Sequence, residues 1–571
     1  MEEFDHVADV VVVGSGGGGM ATAFTAANNG LDVLMIEKAE VYGGNSALSG
    51  GGAWLPNAPM FQRLGETDDK EHLFKYLQTI APNVKPERHR RFIEEAPKLA
   101  ESYEATRYFD GGKGYYWGKG YSDYHPKKGG NPKGRGLWPQ PIDESKLGPE
   151  VFQRRGQGRK GRLEGTPPGM WMTSDDLHDL IALRWGTIKG PKMLLTLAWR
   201  SLLANLLGLK MVTSGGALIA RLRAMIKDAG VPLWLNTPLK DLIQDESGRV
   251  VGVLAERDGK PYRIGARHGV VLAMGGFEGD HAKRAKYQPD AHHSGTQGSP
   301  DNTGDWIAAA EKVGAAFDLM DDAWWMPAMR LLPDTATGIV PERQYPHQFI
   351  VNQAGQRYLN ESQPYTDFGH DMIAANKAGA GTFPSYMIID QWAWDHYFFR
   401  GLPGRPMPKA WLEGGTVQKA DTLEELAKKI GVPPENLVAT AKRWNEMARK
   451  GVDEDFNRGH DAYNNYYGNP SYKNPNMGEV KKPPFYSMQI VLSDLGTKGG
   501  MLTDEEARVL RTDGSVITGL YAVGNCSAAV MGNSYAGPGA TLGPAMTFGR
   551  VAANHIAQQA RLNRPAEKVS A

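Results

Sequence analysis

A glycine-rich turn near the start of the chain has the residues and the spacing that hold a dinucleotide phosphate. Gly14, Gly16 and Gly19 follow four valines and precede an alanine-rich segment. In a strand–turn–helix unit the first glycine makes the tight turn, the second lets the backbone approach a pyrophosphate, and the third allows close helix–strand packing. The helix also directs free N–H groups and the positive end of its dipole at the phosphates. This pattern predicts a nucleotide site.

An acidic residue after the next apolar run completes this unit. Residues 33–36 are apolar, and Glu37 follows them. A carboxylate at this offset accepts hydrogen bonds from the hydroxyls of an adenosine ribose. We therefore predict strands at residues 10–13 and 33–36, joined by a helix over 20–29, as the start of a Rossmann-type α/β domain.

Two further glycine-rich stretches bear on which dinucleotide is bound. One follows Glu37 directly, and the other lies near the C-terminus before a predicted helix that runs to about residue 559. A cofactor held by both ends of the chain suits a tightly bound flavin better than an exchanging nicotinamide, so we predict FAD. The expected contacts are Gly14, Ser15, Gly16, Gly19, Glu37, Lys38, Gly44, Asn45, Ser46, Gly50, Gly51, Gly52, Gly524, Asn525, Thr541 and Leu542.

These motifs carry a family resemblance. Segments 43–46 (GGNS) and 522–525 (AVGN) resemble the FAD signatures of the fumarate reductase and succinate dehydrogenase flavoprotein group. More specifically, the chain resembles the 3-ketosteroid 1-dehydrogenases from about residue 8 to residue 559, in the motifs 122–124 (SDY), 357–365 (RYLNESQPY), 491–500 (VLSDLGTKGG) and 534–539 (SYAGPG). The resemblance implies an FAD-dependent oxidoreductase that introduces a 1,2 double bond into 3-ketosteroids. It also implies that the C-terminal helix directs its N-terminus at the flavin C2 carbonyl.

The resemblance implies roles for three tyrosines and one glycine. Tyr535 O–H and the peptide N–H of Gly539 would donate to the C3 carbonyl oxygen of the steroid, which acidifies the C2 proton. Tyr365 would remove that proton while the C1 hydride passes to the flavin N5. A free tyrosine has a pKa of about 10, so the base needs help, which Tyr124 would give by a hydrogen bond. Only the resemblance joins these residues, because they lie far apart in sequence.

Other chemistries stay open as alternatives. A fumarate-reductase-like flavoprotein would need several convergent Arg and His side chains, whereas the substrate stretches are aromatic, as at Trp324 and Trp325. A 3-ketosteroid 4(5)-dehydrogenase would use similar residues to oxidise the neighbouring bond of the steroid. A sterol carrier with a structural flavin would bind the sterol without catalysing a reaction. His125, His292 and His293 lack a ligand set at metal-binding spacing, so we expect surface histidines and no metal. No GxSxG motif supports a serine hydrolase.

The candidate catalytic residues are distant in sequence, so a discontinuous fold must bring them together. We predict an α/β, Rossmann-type FAD-binding domain from residues 1–320 and 485–571, with an inserted α+β catalytic domain over 321–484. The cleft between the domains would hold the steroid. Short apolar runs at 250–254 and 270–273 predict further strands of the first domain. We expect Glu361 to brace the loop that carries Tyr365.

An insertion over about residues 125–212 makes the chain longer than the shorter family members. This long form resembles the dehydrogenases of cholest-4-en-3-one. Residues 125–169 are rich in Pro, Gly, Lys and Arg, which predicts an extended, poorly ordered loop. Residues 184–210 contain five basic residues and no acid. Within them, apolar residues recur at helical spacing: Leu195, Trp199, Leu202, Leu206 and Leu209. A basic amphipathic helix within 185–211 either lies on a membrane surface or packs on the protein's own core or in a dimer interface.

Composition limits the remaining function classes. Lys plus Arg is 65 and Asp plus Glu is 64 in 571 residues, so the basic excess typical of nucleic-acid binding is absent. The single cysteine, Cys526, excludes internal disulfides and fits a reducing compartment. The acidic first nine residues do not match a signal peptide, and no apolar run in the sequence is long enough to span a bilayer. We expect a cytoplasmic enzyme of steroid degradation, peripheral on the inner face of the cell membrane through 185–211, that passes electrons to a quinone or another acceptor.

Overall fold

The computed structural model describes residues 3–118, 120–148, 153–156, 171–181, 189–291, 295–400 and 404–562. The strands, in chain order, are β1 His6–Val13, β2 Val33–Ile36, β3 Ala53–Trp54, β4 Tyr115–Trp117, β5 Gly136–Pro139, β6 Ile142–Asp143, β7 Met211–Val212, β8 Leu233–Trp234, β9 Leu239–Gln244, β10 Val250–Arg257, β11 Lys260–Leu272, β12 Phe317–Asp318, β13 Ala323–Leu332, β14 Thr335–Gly338, β15 Gln348–Val351, β16 Ser385–Asp390, β17 Val417–Ala420, β18 Phe485–Thr497, β19 Gly500–Met501, β20 Arg508–Leu510 and β21 Val516–Ala522. The helices are α1 Gly17–Asn28, α2 Gly44–Leu48, α3 Pro59–Arg63, α4 Lys70–Ile80, α5 Pro86–Glu104, α6 Ser174–Ile181, α7 Lys189–Leu206, α8 Ser214–Asp228, α9 His281–Tyr287, α10 Trp306–Lys312, α11 Tyr365–Lys377, α12 Gln391–His396, α13 Lys409–Glu413, α14 Leu423–Ile430, α15 Pro434–Lys450, α16 Ala462–Asn465 and α17 Leu542–Leu562.

The first sheet has a buried parallel core, as the valine run at residues 10–13 predicts. Its order is β20-β21-β11-β1-β2-β8, and β10 and β9 extend it from β11. β1 is parallel to β11 and β2, and β11 is parallel to β21. Strands covered on both faces read as continuous apolar runs, and Val10 to Val13 are buried. The predicted strand–helix–strand unit is confirmed, with α1 beginning at Gly17.

The second sheet is antiparallel and comes from the middle of the chain. Its order is β14-β13-β18-β16-β15, with β17 paired to β18, and α11 packs on β13. The predicted boundary at residue 485 coincides with the start of β18, which pairs with β13 and β16. The chain therefore rejoins the first sheet only at β20, through its pairing with β21. The division into two domains stays a prediction.

Residues 125–148 contribute to a small sheet, so the expectation of a poorly ordered loop is wrong for this segment. β5 pairs with β3 and with β4. Leu137 and Trp138 of β5 are buried. Burial of two large apolar side chains stabilises a strand within a glycine- and proline-rich surrounding. Residues 149–152 and 157–169 of the predicted loop lie outside the described residues.

Helix α7 lies within the predicted span 185–211, of which residues 185–188 lie outside the described part of the chain. Its apolar side chains face away from the protein: Leu195 is 74%, Trp199 61% and Leu206 73% exposed. Its polar side faces inward, where Arg200 donates to the Asp176 carboxylate of α6 at 2.6 Å. The apolar face therefore does not pack on the chain's own core. No helix in the described residues combines the length and apolarity needed to cross a bilayer.

Candidate active site

A cavity of about 830 Å³ runs from the glycine-rich turn after β1 to residues of the second sheet. Gly14 and Gly16 line one end, and Met326 of β13 and Tyr345 line the other. Parallel strands of a doubly wound sheet open a crevice at their carboxyl ends, which is where such folds bind ligands. The cavity lies at the ends of β1, β11 and β21, through Val13, Ala273 and Val523.

The turn after β1 requires glycine at two of the predicted positions. Gly14 has a φ of +104°, and a Cβ there would overlap the main chain of Ala273. A Cβ at Gly19 would overlap the main-chain oxygen of Gly14. Gly19 does not line the cavity and instead permits the close helix–strand approach that the motif predicts. The first turn of α1 is therefore held against the cavity wall, with its N–H groups available to an anion.

The acidic residue after β2 lies beside this turn. Ser15 donates to the Glu37 carboxylate through its hydroxyl at 2.5 Å and through its peptide N–H at 3.1 Å. The peptide N–H of Ala39 donates to the other carboxylate oxygen at 3.0 Å. Each oxygen keeps acceptor capacity for a ligand hydroxyl. Lys38 contacts Asp305 at 2.7 Å, an acidic neighbour that the motif does not predict.

The other predicted cofactor residues also line the cavity, from both ends of the chain. They are Ser15, Gly16, Glu37, Lys38, Gly44, Asn45, Ser46, Gly50, Gly51, Gly52, Gly524, Asn525, Thr541 and Leu542. Leu542 is the first residue of α17, so the positive end of this helix faces the cavity. Gly51 has a φ of +75°, and a Cβ there would lie 2.5 Å from the main chain of Ser214. A long groove walled by bare backbone and two helix N-termini fits an extended dinucleotide such as FAD.

Three predicted tyrosines meet at the other end of the cavity. Tyr124 Oη donates to Tyr365 Oη at 3.0 Å. The ring centroid of Tyr535 lies 5.0 Å from that of Tyr124 and 5.5 Å from that of Tyr365. All three rings are buried, and all three line the cavity. Residues separated by more than a hundred positions in sequence therefore form one phenol cluster.

The segments that carry these phenols are tied together by main-chain contacts. The peptide N–H of Tyr124 donates to the Ala536 carbonyl at 3.0 Å, beside Tyr535. Tyr365 is the first residue of α11, where the helix dipole is positive. Gly539 has a φ of +89°, and a Cβ there would lie 2.5 Å from the Gly52 carbonyl carbon. The loop that joins Tyr535 to α17 thus runs against the glycine-rich wall.

A buried ionic group braces the segment before Tyr124. Asp123 pairs with Arg135 and accepts a hydrogen bond from the Trp54 indole at 2.8 Å. Arg135 also pairs with Asp68 at 2.7 Å. Asp123 is buried, so a lost partner would leave a buried charge or donor unmatched. The middle residue of the SDY motif therefore holds its neighbour Tyr124 in place.

Burial determines the protonation of the phenols. It raises the pKa of Tyr365 and of Tyr124 well above the ordinary value, and it raises that of Tyr535. A neutral Tyr535 is suited to donate a hydrogen bond. The hydrogen bond from Tyr124 acts in the opposite direction on Tyr365, since it lowers the pKa. A base at Tyr365 therefore needs further stabilisation of its negative charge.

Several aromatic residues of this site were not among those predicted from the sequence. Tyr121 and Tyr467 also line the cavity. Tyr463 lies with its ring centroid 4.7 Å from that of Tyr124. The signal available in sequence was the aromatic density of residues 463–467 (YNNYY). Trp324 donates to the Asn525 side chain at 3.2 Å, which connects the second sheet to the cofactor wall.

The expectation of a surface histidine at position 125 is wrong. His125 is buried, and its ring lies 3.1 Å from the Ser534 hydroxyl and 3.6 Å from the Asp367 carboxylate. Burial lowers its pKa, so the ring is neutral near neutral pH. His292 and His293 lie outside the described residues.

The chain is similar in sequence and in fold to several known proteins. The family model described as "FAD binding domain" matches residues 9–542. The 3-oxosteroid 1-dehydrogenase of Mycolicibacterium smegmatis is 44% identical, and the alignment covers 97% of this chain and 98% of that protein. A crystal structure of the 3-ketosteroid Δ1-dehydrogenase of Sterolibacterium denitrificans with 1,4-androstadiene-3,17-dione matches with a TM-score of 0.88 at 36% identity, over 97% of this chain and 100% of that one. A 3-ketosteroid Δ4-(5α)-dehydrogenase from Rhodococcus jostii matches with a TM-score of 0.66 at 21% identity, over 98% of each chain, and so shares the fold.

Proposed function

The chain belongs to the family of FAD-dependent 3-oxosteroid 1-dehydrogenases, and we propose that its phenol cluster carries out the 1,2-dehydrogenation of a 3-oxosteroid. The resemblance drawn from the sequence motifs is thereby confirmed at the level of the family, as is FAD as the cofactor. One observation carries the proposed residue roles. Tyr124 donates to Tyr365 at 3.0 Å beside Tyr535, at the end of a cavity that also contains the cofactor residues.

Tyr535 and Gly539 would hold the steroid by its C3 ketone. Tyr535 is buried, and its raised pKa keeps the O–H available for donation. Gly539 lines the cavity, and its peptide N–H lies beside the Tyr535 hydroxyl oxygen, so both donors would approach the same ketone oxygen. Two donors at one carbonyl oxygen stabilise the negative charge that develops there as C2 loses its proton. One such donor contributes about 3 kcal/mol to lowering a barrier.

Tyr365 would accept the C2 proton. Its hydroxyl oxygen receives a hydrogen bond from Tyr124, which stabilises the phenolate form relative to the phenol. The pair of electrons from the C2–H bond then moves toward the polarised ketone. FAD, when bound along the glycine-rich wall, supplies the acceptor for the C1 hydride. Buried aromatic rings around Tyr365 would limit the access of water while the proton is transferred.

The cofactor residues form two groups. The turn at Gly14 to Gly16 and the first turn of α1 would bind the pyrophosphate, and Glu37 the adenosine ribose. The second group contains Gly50, Gly51 and Gly52, which would run along the flavin ring. The N-terminus of α17 would favour negative charge on that ring.

Anaerobic reduction of the bound flavin tests the proposal. Mixing the oxidised holoenzyme with androst-4-ene-3,17-dione should bleach the flavin absorbance, and the product should carry a new 1,2 double bond. Tyr365→Phe should keep its flavin and its fold yet lose nearly all reduction by steroid. A product with the double bond at another position would contradict 1,2 chemistry, and a fully active Tyr365→Phe variant would remove Tyr365 from the base role.

We also propose that α7 docks on a lipid surface. Its outward face presents large apolar side chains, with Leu195, Trp199 and Leu206 more than half exposed. Residues 184–210 contain no acid, and Lys192 and Lys210 are exposed, so this segment attracts anionic headgroups. α7 packs on α6, whose Leu180 lines the cavity. A sterol dissolved in the bilayer would thus enter the cavity beside the docking face. Docking through α7 would place the enzyme at the periphery of the membrane.

Co-sedimentation with vesicles tests the docking face. The holoenzyme should sediment with vesicles that contain anionic phospholipid, and the double variant Leu195→Gln, Trp199→Gln should remain in the supernatant with its flavin bound. Leu64→Gln is the matched control, because Leu64 is 56% exposed and lies in a different part of the chain. Undiminished sedimentation of the double variant, or an apolar dimer contact through α7 seen in solution, would refute docking on lipid.

Two further assignments accompany this proposal. Residues 321–484 form the substrate domain, since β13 and α11 supply Met326 and Tyr365 to the cavity.

A quinone is the electron acceptor that a lipid surface would place beside the cavity. Steroid-dependent reduction of a short-chain quinone under anaerobic conditions should exceed reduction of a nicotinamide dinucleotide, and the reverse order would contradict this assignment.

A further inference from the structure

Arg343 is a fully buried cation behind the phenol cluster. Its guanidinium donates to the main-chain carbonyls of Glu361 and Gln363 at 2.9 and 2.6 Å. It also donates to the hydroxyl of Tyr463 at 3.3 Å. Gln363 lies two residues before Tyr365, so Arg343 contacts both the segment that carries the base and a phenol of the same cluster.

Arg343 differs from two neighbouring guanidiniums in its partners. Arg357 pairs with Glu361 and Asp453, and Arg458 pairs with Glu361. The bonds of Arg343 described above go to main-chain oxygens and to a neutral hydroxyl instead. All five of these charged side chains are largely buried. A buried guanidinium bonded in this way is stabilised when a negative charge forms on the phenols that it contacts.

A series of phenols connects Arg343 to the base. The ring of Tyr463 lies 4.7 Å from that of Tyr124, and Tyr124 donates to Tyr365 at 3.0 Å. Burial raises the pKa of Tyr463 and of Tyr121, and the Arg343 charge opposes the rise at both. Phenols that interact this closely titrate as a group rather than one by one.

We propose, on the basis of the function above, that Arg343 is a positioning residue whose charge lets the buried phenol group of Tyr121, Tyr124, Tyr365 and Tyr463 hold one negative charge between turnovers. In the proton-transfer step the phenolate oxygen of Tyr365 forms an O–H bond with the C2 proton. The electron pair of the C2–H bond moves into the C2–C3 bond and onto the ketone oxygen. The group is then neutral and must release this proton to water before the next steroid reacts, which Arg343 favours.

Other charges also face the phenols and must be kept constant in any test. Asp367 and Asp461 oppose Arg343, because each raises the pKa of Tyr463. The charged and titratable groups on the surrounding elements include His125, Asp322, Glu342, Asp367, His370, Arg400, Asp461, Tyr466, Tyr467, Lys498 and Tyr535. Glu342 pairs with Arg400, and Lys498 pairs with Asp322, so these four charges cancel in pairs. The variants below leave all of them in place.

The test compares the pH dependence of flavin reduction by androst-4-ene-3,17-dione in a single anaerobic turnover. Arg343→Gln should move the acidic limb of the rate profile upward by about one pH unit, which is about tenfold slower reduction at a fixed pH on that limb. Arg343→Lys keeps the charge and should move the limb less. Arg443→Gln is the control, because Arg443 is half-exposed and pairs with Asp455 away from the phenols. It should leave the profile unchanged.

A second readout needs no turnover. The ultraviolet absorbance of tyrosinate, titrated in each holoenzyme, should show one buried phenol that ionises at higher pH in Arg343→Gln than in the wild type. A flavin-loaded Arg343→Gln enzyme with the wild-type rate profile and titration would overturn the inference. If that variant does not retain flavin, Tyr463→Phe removes the connecting phenol while Arg343 stays, and an unshifted titration there would equally overturn it. Failure of the wild-type flavin to be reduced by steroid would contradict the proposed function instead.

Discussion

Replacing Gly539 by alanine perturbs the proposed ketone-binding site through the backbone alone. Gly539 has a φ of +89°, and a Cβ there would lie 2.5 Å from the Gly52 carbonyl carbon and 2.7 Å from the Ala53 nitrogen. The left-handed conformation costs an L-residue about 1–2 kcal/mol. The overlap is with main-chain atoms, so no side-chain rotation relieves it. The loop from Tyr535 to Gly539 must therefore move away from the glycine-rich wall.

This movement would displace a peptide N–H donor and the phenol of Tyr535 together. Loss of one oxyanion donor slows a reaction by roughly 100- to 1,000-fold. We therefore expect Gly539→Ala to reduce its flavin with steroid at least about 100-fold more slowly than the wild type. Binding of the flavin should persist, because most of the predicted cofactor contacts lie elsewhere on the wall.

Rapid-mixing absorbance of the flavin under anaerobic conditions measures this effect, and flavin content is measured on the same samples. Gly431→Ala is the matched control. Gly431 has a φ of +75°, and a Cβ there would meet no other atom within 4 Å, so it carries the backbone strain without the overlap. The control should lose about 1 kcal/mol of unfolding free energy and keep the wild-type rate. A flavin-loaded Gly539→Ala enzyme within about threefold of the wild-type rate would refute the ketone-binding role.

Three further predictions concern buried polar groups. Asp123→Ala should lower the unfolding free energy by about 3 kcal/mol, because the Trp54 indole loses its acceptor and Arg135 keeps only Asp68 as a carboxylate partner; urea unfolding measures the loss. Burial lowers the pKa of His89 to about 4, below the usual value of about 6.5. Between pH 6.5 and 4 the unfolded chain therefore binds a proton that the folded chain does not, so the unfolding free energy should fall by up to about 3 kcal/mol over this range. In His89→Gln the unfolding free energy, measured with urea at each pH, should depend less on pH over the same range. Burial raises the pKa of Cys526 to about 12, so iodoacetamide should not label the native thiol at neutral pH but should label it in denaturant, as mass spectrometry reports. Labelling of the folded protein would contradict this burial.

The sequence predicted the nucleotide-binding half well because its signals are local. A strand, a glycine-rich turn, a helix and an acidic residue follow one another within about thirty residues, and each indicates one structural role in a dinucleotide-binding unit. Gly14 and Gly19 show this directly, since both positions exclude a side chain for the reasons that the motif implies. The extent of β5 was not predictable in the same way, because burial of Leu137 and Trp138 depends on partners distant in the chain.

The phenol site depended on a resemblance rather than on a pattern. Tyr124, Tyr365 and Tyr535 have no periodicity that joins them, and their proximity arises from tertiary contacts between two loops and the start of α11. Arg343 had no local signal at all. Its proposed role rests on its contacts with the Gln363 carbonyl and the Tyr463 hydroxyl, which only a three-dimensional arrangement supplies. The sequence could not predict the burial of His125 for the same reason. The segment at Ser534 that contacts its ring is distant in the chain.

The order of strands in the first sheet has a consequence for biosynthesis. β11 precedes the antiparallel sheet in the chain, whereas its parallel neighbour β21 and the helix α17, which packs on α1, follow that sheet. A nascent chain emerging from the ribosome would therefore expose one edge of β11 and one flank of α1 until β21 and α17 have also emerged. Exposed strand edges and apolar surface make such a chain prone to aggregation during this interval. The cavity wall that α17 completes would form only after it.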